Sequence, residues 1–241
     1  MAASLPSNVH VSTHPCVRAK LSQLRSASTS AKETKALIHE IATIVGVEAL
    51  SHALSAEQTG KQGRRLTNSH TVCVQGKSPL GYEYATEDIS PSHISLVPIL
   101  RSGLSMVEPI QSLLPNAVSV HHLGMYREKT TLQPVEYYNN LPYHKVGDQS
   151  KIPELAIIVD PIIATGSTVC AAIDTLRDWG VPKIVTLSIL ASEAGLKRAG
   201  EAWADGVEMW VGGVDAETDE KGMIKPGLGD VGDRLFLTVG K

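Results

Sequence analysis

Four consecutive residues, Thr165, Gly166, Ser167 and Thr168, supply three hydroxyls and one unhindered backbone unit just beyond the acidic residue Asp160. Hydroxyls and successive free N–H groups of this kind can cradle an anion, phosphate above all. The run is not a Walker loop, since the second glycine and the lysine of that motif are missing. Taken alone it also fits a strand-to-helix turn in which Ser167 or Thr168 caps the helix. Arg101 and Arg127 each follow an apolar run, and a guanidinium offers paired donors that stay charged at any working pH. An isolated arginine is more often one half of a surface ion pair. Asp230 and Asp233 stand among glycines. That spacing suits a carboxyl acid–base pair, and equally a turn whose Asp side chains cap their own backbone.

The elements that must position these groups follow from periodicity. Leu155-Ala-Ile-Ile-Val159 is wholly apolar, rich in β-branched residues and too short for an ordinary helix, which predicts a strand buried on both faces. A parallel sheet covered by helices demands such burial, and its ligands sit beyond the carboxyl ends of the strands, where Asp160 stands. Pro161 removes a backbone donor and bends the chain. Val169, Ile173 and Leu176 then recur at helical spacing up to Trp179, with Gly180 as the stop. The N–H groups of the loop therefore fall at a helix N-terminus, whose dipole favours phosphate.

The rest of the chain keeps this rhythm. The N-terminal piece is polar and Ser-rich with no clear helical pattern until Ser30 and Glu33, which fit a capping box before the stripe Leu37, Ile41, Ile44, Val45 and Leu50. Strands are predicted at 94–100, 118–125, 184–190 and 207–211, and helices at about 104–114 and 193–203. Runs 71–75 and 81–86, separated by Gly76-Lys-Ser-Pro-Leu80, predict a hairpin arm spanning 71–86. Residues 126–150 are polar, contain Pro134 and Pro142 and show a strand only at 135–138, which predicts a flexible flap. Residues 218–241 are rich in glycine and charge, as a solvated tail would be, but the dense run Pro226 to Asp233 argues instead for a chain folded tightly around something. Strands alternating with helices imply right-handed crossovers and one α/β domain over 1–241, a mainly parallel twisted sheet flanked by helices.

Composition narrows the class. With 241 residues, 42% of them hydrophobic, and a formal charge of −3, the chain can bury a sizeable core and shows no footprint for general nucleic-acid binding. Its three cysteines, Cys16, Cys73 and Cys170, are scattered without metal-ligand spacing, which argues against a disulfide framework or zinc site and for a reducing compartment. No basic, then apolar leader opens the sequence and nowhere do about eighteen apolar residues run together, so a cytoplasmic protein with no membrane partner is expected. His121 and His122 adjoin in a strand-like run and would face opposite ways. Trp179, Trp203 and Trp210 are expected to pack.

Val159-Asp-Pro-Ile-Ile-Ala-Thr-Gly-Ser-Thr168 resembles the signature of the type I phosphoribosyltransferases, and its Asp-Pro in place of an acidic pair is similar to one branch, the uracil phosphoribosyltransferases. The tail Lys221-Gly-Met-Ile224-Lys-Pro226-Gly-Leu-Gly229-Asp230-Val-Gly-Asp233-Arg234-Leu-Phe236 resembles that family's uracil-binding segment. Val97-Pro-Ile-Leu-Arg101-Ser-Gly-Leu, the stretch from Leu123 through Arg127 to Tyr138, and His14-Pro15 extend the resemblance over nearly the whole chain.

The resemblance implies the type I phosphoribosyltransferase fold with a β arm that pairs subunits, a homodimer or homotetramer, and a C-terminal hood. It implies transfer of the phosphoribosyl group of 5-phospho-α-D-ribose 1-diphosphate to uracil. The donor would be bound by Arg101, Arg127, Asp160, Pro161, Ile162, Ile163, Ala164, Thr165, Gly166, Ser167, Thr168 and Asp230. Backbone groups of Ile224, Gly229, Asp230 and Val231 would read uracil, with Asp230, Arg127 and Asp160 the catalytic set. Magnesium would enter with the diphosphate, held by its oxygens and water, and no protein ligand is assigned to it. Some relatives are activated by guanosine triphosphate. Val231 stands where the family usually has alanine, Ser192-Glu193-Ala194 where it has Ala-Pro-Glu, and Leu237 where it has glycine. Transfer to another base, or a catalytically weak nucleotide-sensing or RNA-binding regulator on the same fold, are the alternative readings.

Overall fold

A computed structural model describes residues 5–59, 75–128, 134–143 and 152–238. The chain opens with strand β1 (Val9–Val11) and helices α1 (Pro15–Leu24) and α2 (Ala31–Ala53). Four short strands follow: β2 (Ser55–Gln58), β3 (Gln75–Lys77), β4 (Glu83–Ala85) and β5 (Glu87–Ser90). Next come β6 (Ile94–Leu100), a 3₁₀ turn (Ser102–Met106) running into α3 (Val107–Leu113), β7 (Ser119–Val120), β8 (Leu123–Arg127) and β9 (Pro134–Asn139). The second half contains β10 (Leu155–Val159), β11 (Ile162–Ile163), α4 (Ser167–Trp179), β12 (Ile184–Ser188), β13 (Leu190–Ser192), α5 (Glu193–Ala202) and β14 (Val207–Val211). It closes with β15 (Val214–Asp215), β16 (Glu217–Thr218), β17 (Ile224–Lys225) and α6 (Val231–Phe236).

The main sheet runs β1-β14-β12-β10-β6-β8-β9, with β7 also on β6; every pairing is parallel except the edge pair β8–β9. All five residues of β10 are buried because its alternating side chains enter two cores. Leu155, Ile157 and Val159 pack with α1, α2 and α3, while Ala156 and Ile158 pack with α4 and α5. Both cores are chiefly aliphatic, with Trp179 buried on the α4–α5 side, so the two faces of the sheet are held by dispersion and apolar burial.

Ser30 and Glu33 form the expected capping box on α2, Ser30 N donating to Glu33 Oε2 at 2.9 Å. The N-terminal piece contains an element the sequence pattern did not reveal. His14 caps α1 by accepting from Cys16 N at 3.1 Å, with Pro15 in its first turn, and β1 pairs with the sheet edge. The hairpin arm turns at Ser78 to Gly81, Gly81 adopting φ +89°, so that Gly76 pairs with Tyr84; its expected first strand, 71–75, lies outside the described residues apart from Gln75. β2 and β5 form a second antiparallel pair.

Within the expected flap, the strand predicted at 135–138 forms as β9 at the sheet edge. β9 pairs along β8, and Trp179 Nε1 donates to Pro142 O at 3.1 Å. Residues 129–133 and 144–150 of that region lie outside the described residues. The single strand predicted at 184–190 breaks at Ile189, because Ile189 N and Leu190 N both donate to Pro161 O at 3.0 Å. No helix among the described residues is long and apolar enough to cross a membrane.

Candidate active site

β6 and β10 are parallel neighbours with Pro98 opposite Val159, so the residues just beyond each strand meet at the carboxyl edge of the sheet. The approach is close: a Cβ on Gly103 would stand 2.4 Å from Val159 O. Ser102 Oγ there donates to Asp160 Oδ1 at 3.1 Å. Asp160 is buried, and desolvation pushes its carboxyl up to about 7, with hydrogen bonds from Ser102 and from the Ile162 backbone pulling the other way.

The loop after Asp160 is built against α5. β11 pairs with β13, and Ala164 O accepts from Ser192 Oγ at 2.5 Å. Ser192 also caps α5, accepting from Gly195 N at 2.9 Å. The triplet Ser192-Glu193-Ala194 therefore supplies a buttress for the loop. Gly166 has φ +76°, and a Cβ on it would meet Gly195 O at 2.6 Å, so both conformation and space require glycine at the start of α4. Thr165, Gly166 and Thr168 line the cleft above. Ser167 does not: its buried Oγ accepts from Arg198 Nη1 at 2.8 Å and from Thr165 Oγ1 at 3.2 Å, anchoring the helix start to α5.

The opposite wall is the C-terminal hood, clamped to the body by two arginines. Arg25 binds Asp215 through both guanidinium arms at 2.7 and 2.8 Å and donates to Gly227 O at 3.0 Å, while Gly227 N donates to Asp215 Oδ2 at 3.1 Å. Arg234 Nη1 donates to Leu24 O and Leu228 O, each at 2.8 Å. Asp230 caps α6, its Oδ1 accepting from Asp233 N at 3.0 Å. Asp233 Oδ1 is engaged by Thr238 and Arg101, so the two aspartates work as cap and latch and do not face each other as an acid–base pair.

Between these walls lies a cleft of about 270 Å³. Asp160, Ile162, Ile163, Ala164, Thr165, Gly166 and Thr168 form one side, and Gly222, Met223, Gly229, Asp230, Val231 and Gly232 the other. Ser102, Met125, Tyr126 and Met223 also border it; each lies inside a stretch that carries the family resemblance, but residue type alone did not single it out. Of the other candidates, Pro161 ties the loop to β13 and Arg101 turns toward the hood. Ile224 directs its side chain into the core while its backbone pairs with Thr218. Arg127 ends β8, and its side chain lies outside the described residues. Among the described residues no three His, Cys, Asp or Glu side chains converge on a metal position.

A Thr-Gly loop at the carboxyl edge of a parallel sheet, facing a glycine-rich hood across one cleft, is the arrangement of a type I phosphoribosyltransferase. The chain belongs to the uracil phosphoribosyltransferase family, whose model matches residues 11–238. It is 38% identical over 232 residues to the uracil phosphoribosyltransferase of Listeria innocua, covering 96% of this chain and 99% of that one. It is 36% identical over 230 residues to the enzyme of that name from Roseiflexus castenholzii, covering 95% and 98%. Among solved structures it is similar to the AQ2163 protein from Aquifex aeolicus, with a TM-score of 0.78 and 30% identity over 96% of this chain and all of that one.

Proposed function

We propose that the chain transfers the phosphoribosyl group of phosphoribosyl diphosphate to uracil, forming uridine monophosphate and diphosphate. One observation carries the reading: in a chain of this family, the phosphate loop and the glycine-rich hood face each other across a single cleft with Asp160 at its floor. The 5-phosphate is assigned to the N–H groups of Ala164 to Thr168 and the hydroxyls of Thr165 and Thr168. Asp160 accepts from the ribose hydroxyls, and Arg101 and Arg127 take the diphosphate. As the anomeric C–O bond breaks and a bond to N1 of uracil forms, positive charge spreads over the ribose, negative charge collects on the departing diphosphate, and the N1 proton passes to that diphosphate or to water. Asp230 stands beside that centre. Backbone groups around Ile224 and Gly229 to Val231 discriminate bases, because the wrong base would leave them unpaired.

Magnesium is assigned to the diphosphate oxygens and water, where it would supply charge neutralisation of the leaving group; among the described residues no carboxylate cluster would hold it. The exposed Leu80, Tyr82 and Tyr84 of the β3–β4 arm support pairing of subunits, and the free thiols Cys16 and Cys170 support a reducing, cytoplasmic setting.

The test is diphosphate release from donor and magnesium with uracil, cytosine, orotate or hypoxanthine, with and without guanosine triphosphate. Release with uracil alone is expected, and Asp230→Ala is expected to abolish it in a folded protein. Release only with another base would overturn the specificity, and donor binding without turnover on any base would favour a regulator.

A further inference from the structure

Arg101 stands just beyond β6, between the cleft-lining residues Leu100 and Ser102, and its guanidinium is bound by residues near the far end of the sequence. Nη1 donates to Thr238 Oγ1 at 3.0 Å and Nη2 to Asp233 Oδ1 at 3.4 Å, across 137 and 132 residues of sequence. Thr238 Oγ1 in turn donates to Asp233 Oδ1 at 2.8 Å, closing a three-membered network. A Cβ on Gly232 would lie 3.7 Å from Arg101 Nη2 and 3.2 Å from Asp230 Oδ1, so the guanidinium lies across the first turn of α6 beside the Asp230 cap. The turn bearing Arg101 and the helix following Asp230 are thereby one unit.

We propose that Asp233 and Thr238 are positioning residues for Arg101, holding its guanidinium at the mouth of the cleft so that the donor's diphosphate meets a preset cation joined to the base-reading hood. This rests on the phosphoribosyl-transfer reading above. A guanidinium has five N–H donors, and the two partners here leave the others free for an anion. The Arg101 side chain is 51% exposed and Asp233 34%, so the ion pair is too well solvated to neutralise the arginine, and its effect is orientational. Unheld, a side chain this long and exposed would be ordered only when the diphosphate binds, weakening donor binding by roughly three- to tenfold.

The test is a double-mutant cycle on the full chain, read as KM for donor, KM for uracil and kcat, with donor affinity measured directly by titration calorimetry. Asp233→Ala and Thr238→Val are each expected to raise the donor KM roughly three- to tenfold with kcat nearly retained, and Thr238→Ser to restore it. In an Arg101→Ala background, where donor binding is already weak, Asp233→Ala is expected to add nothing to the loss of affinity. Equal losses in both backgrounds, or an unchanged donor KM in Asp233→Ala and Thr238→Val, would overturn the proposal. A wild-type chain that neither binds donor nor turns over would instead sink the transfer reading itself, so the two failures are distinct.

Discussion

The hydroxyl of Ser102 donates to Oδ1 of Asp160 at 3.1 Å, joining two strand ends that lie 58 residues apart. Burial pushes this carboxyl up to about 7, against a hydrogen bond that favours its ionised form. The kcat/KM profile of the free protein is therefore expected to rise through about pH 7, and Ser102→Ala to shift that limb to higher pH. A profile unmoved by Ser102→Ala would separate Asp160 from the titration.

The same carboxyl makes a statement about stability. Its folded pKa lies above the ordinary value of 3.8, so its favourable contribution is complete below that value and is lost as pH rises through about 7. Asp160→Asn removes a charge that burial penalises. Its gain in unfolding free energy over wild type is expected to grow between about pH 4 and pH 7, in the direction of a higher Tm, and to level off above at something on the order of a few kcal/mol. Scanning calorimetry across that range checks it, and turnover is expected to fall in the same variant.

Ser192 reaches both Ala164 O and Gly195 N, so one hydroxyl supports the phosphate loop and caps α5. Ser192→Ala is expected to cost about 1–2 kcal/mol in chemical denaturation. Kinetically it should raise the donor KM and leave the uracil KM unchanged.

Gly166→Ala forces a side chain into φ +76° and 2.6 Å from Gly195 O. A strain of roughly 1–3 kcal/mol is expected, discharged by displacing the loop. Binding of ribose 5-phosphate, followed by calorimetry, should be lost in Gly166→Ala and retained in Ser167→Ala, whose hydroxyl faces Arg198 instead of the cleft.

Arg25 and Asp215 hold Gly227 from both its carbonyl and its N–H. Arg25→Ala leaves a buried carboxylate without its cation and is expected to cost about 1–3 kcal/mol. Loosening the hood should raise the uracil KM while ribose 5-phosphate binding persists; equal loss of both would show that Arg25 supports the whole fold.

Much of the architecture was legible because local patterns carried it. The apolar run at Leu155–Val159, the stripe from Val169 to Trp179 and the Ser30–Glu33 box each encode burial or capping within a few residues, and each forms the predicted element. The N-terminal pieces were less visible. β1 is three residues long and owes its existence to the edge of β14, and α1 is announced only by a His-Pro start. Within the polar stretch 126–150 the strand predicted at 135–138 forms as β9, an edge strand whose exposed face is naturally polar, while 129–133 and 144–150 lie outside the described residues.

Within the site, the sequence by itself determined the chemistry available: a carboxylate at a strand end, a Thr-Gly hydroxyl loop on a helix N-terminus, and a glycine-rich hood whose turns need positive φ at Gly227 and Gly229. These are local properties, set by residue type and short spacing. Only the tertiary structure decided which groups meet. It turned Ser167 away toward Arg198, brought Ser102 under Asp160, set Ser192 beneath Ala164 and laid Arg101 across α6. Those contacts depend on strand register and helix packing between segments far apart in the chain, which no local pattern encodes.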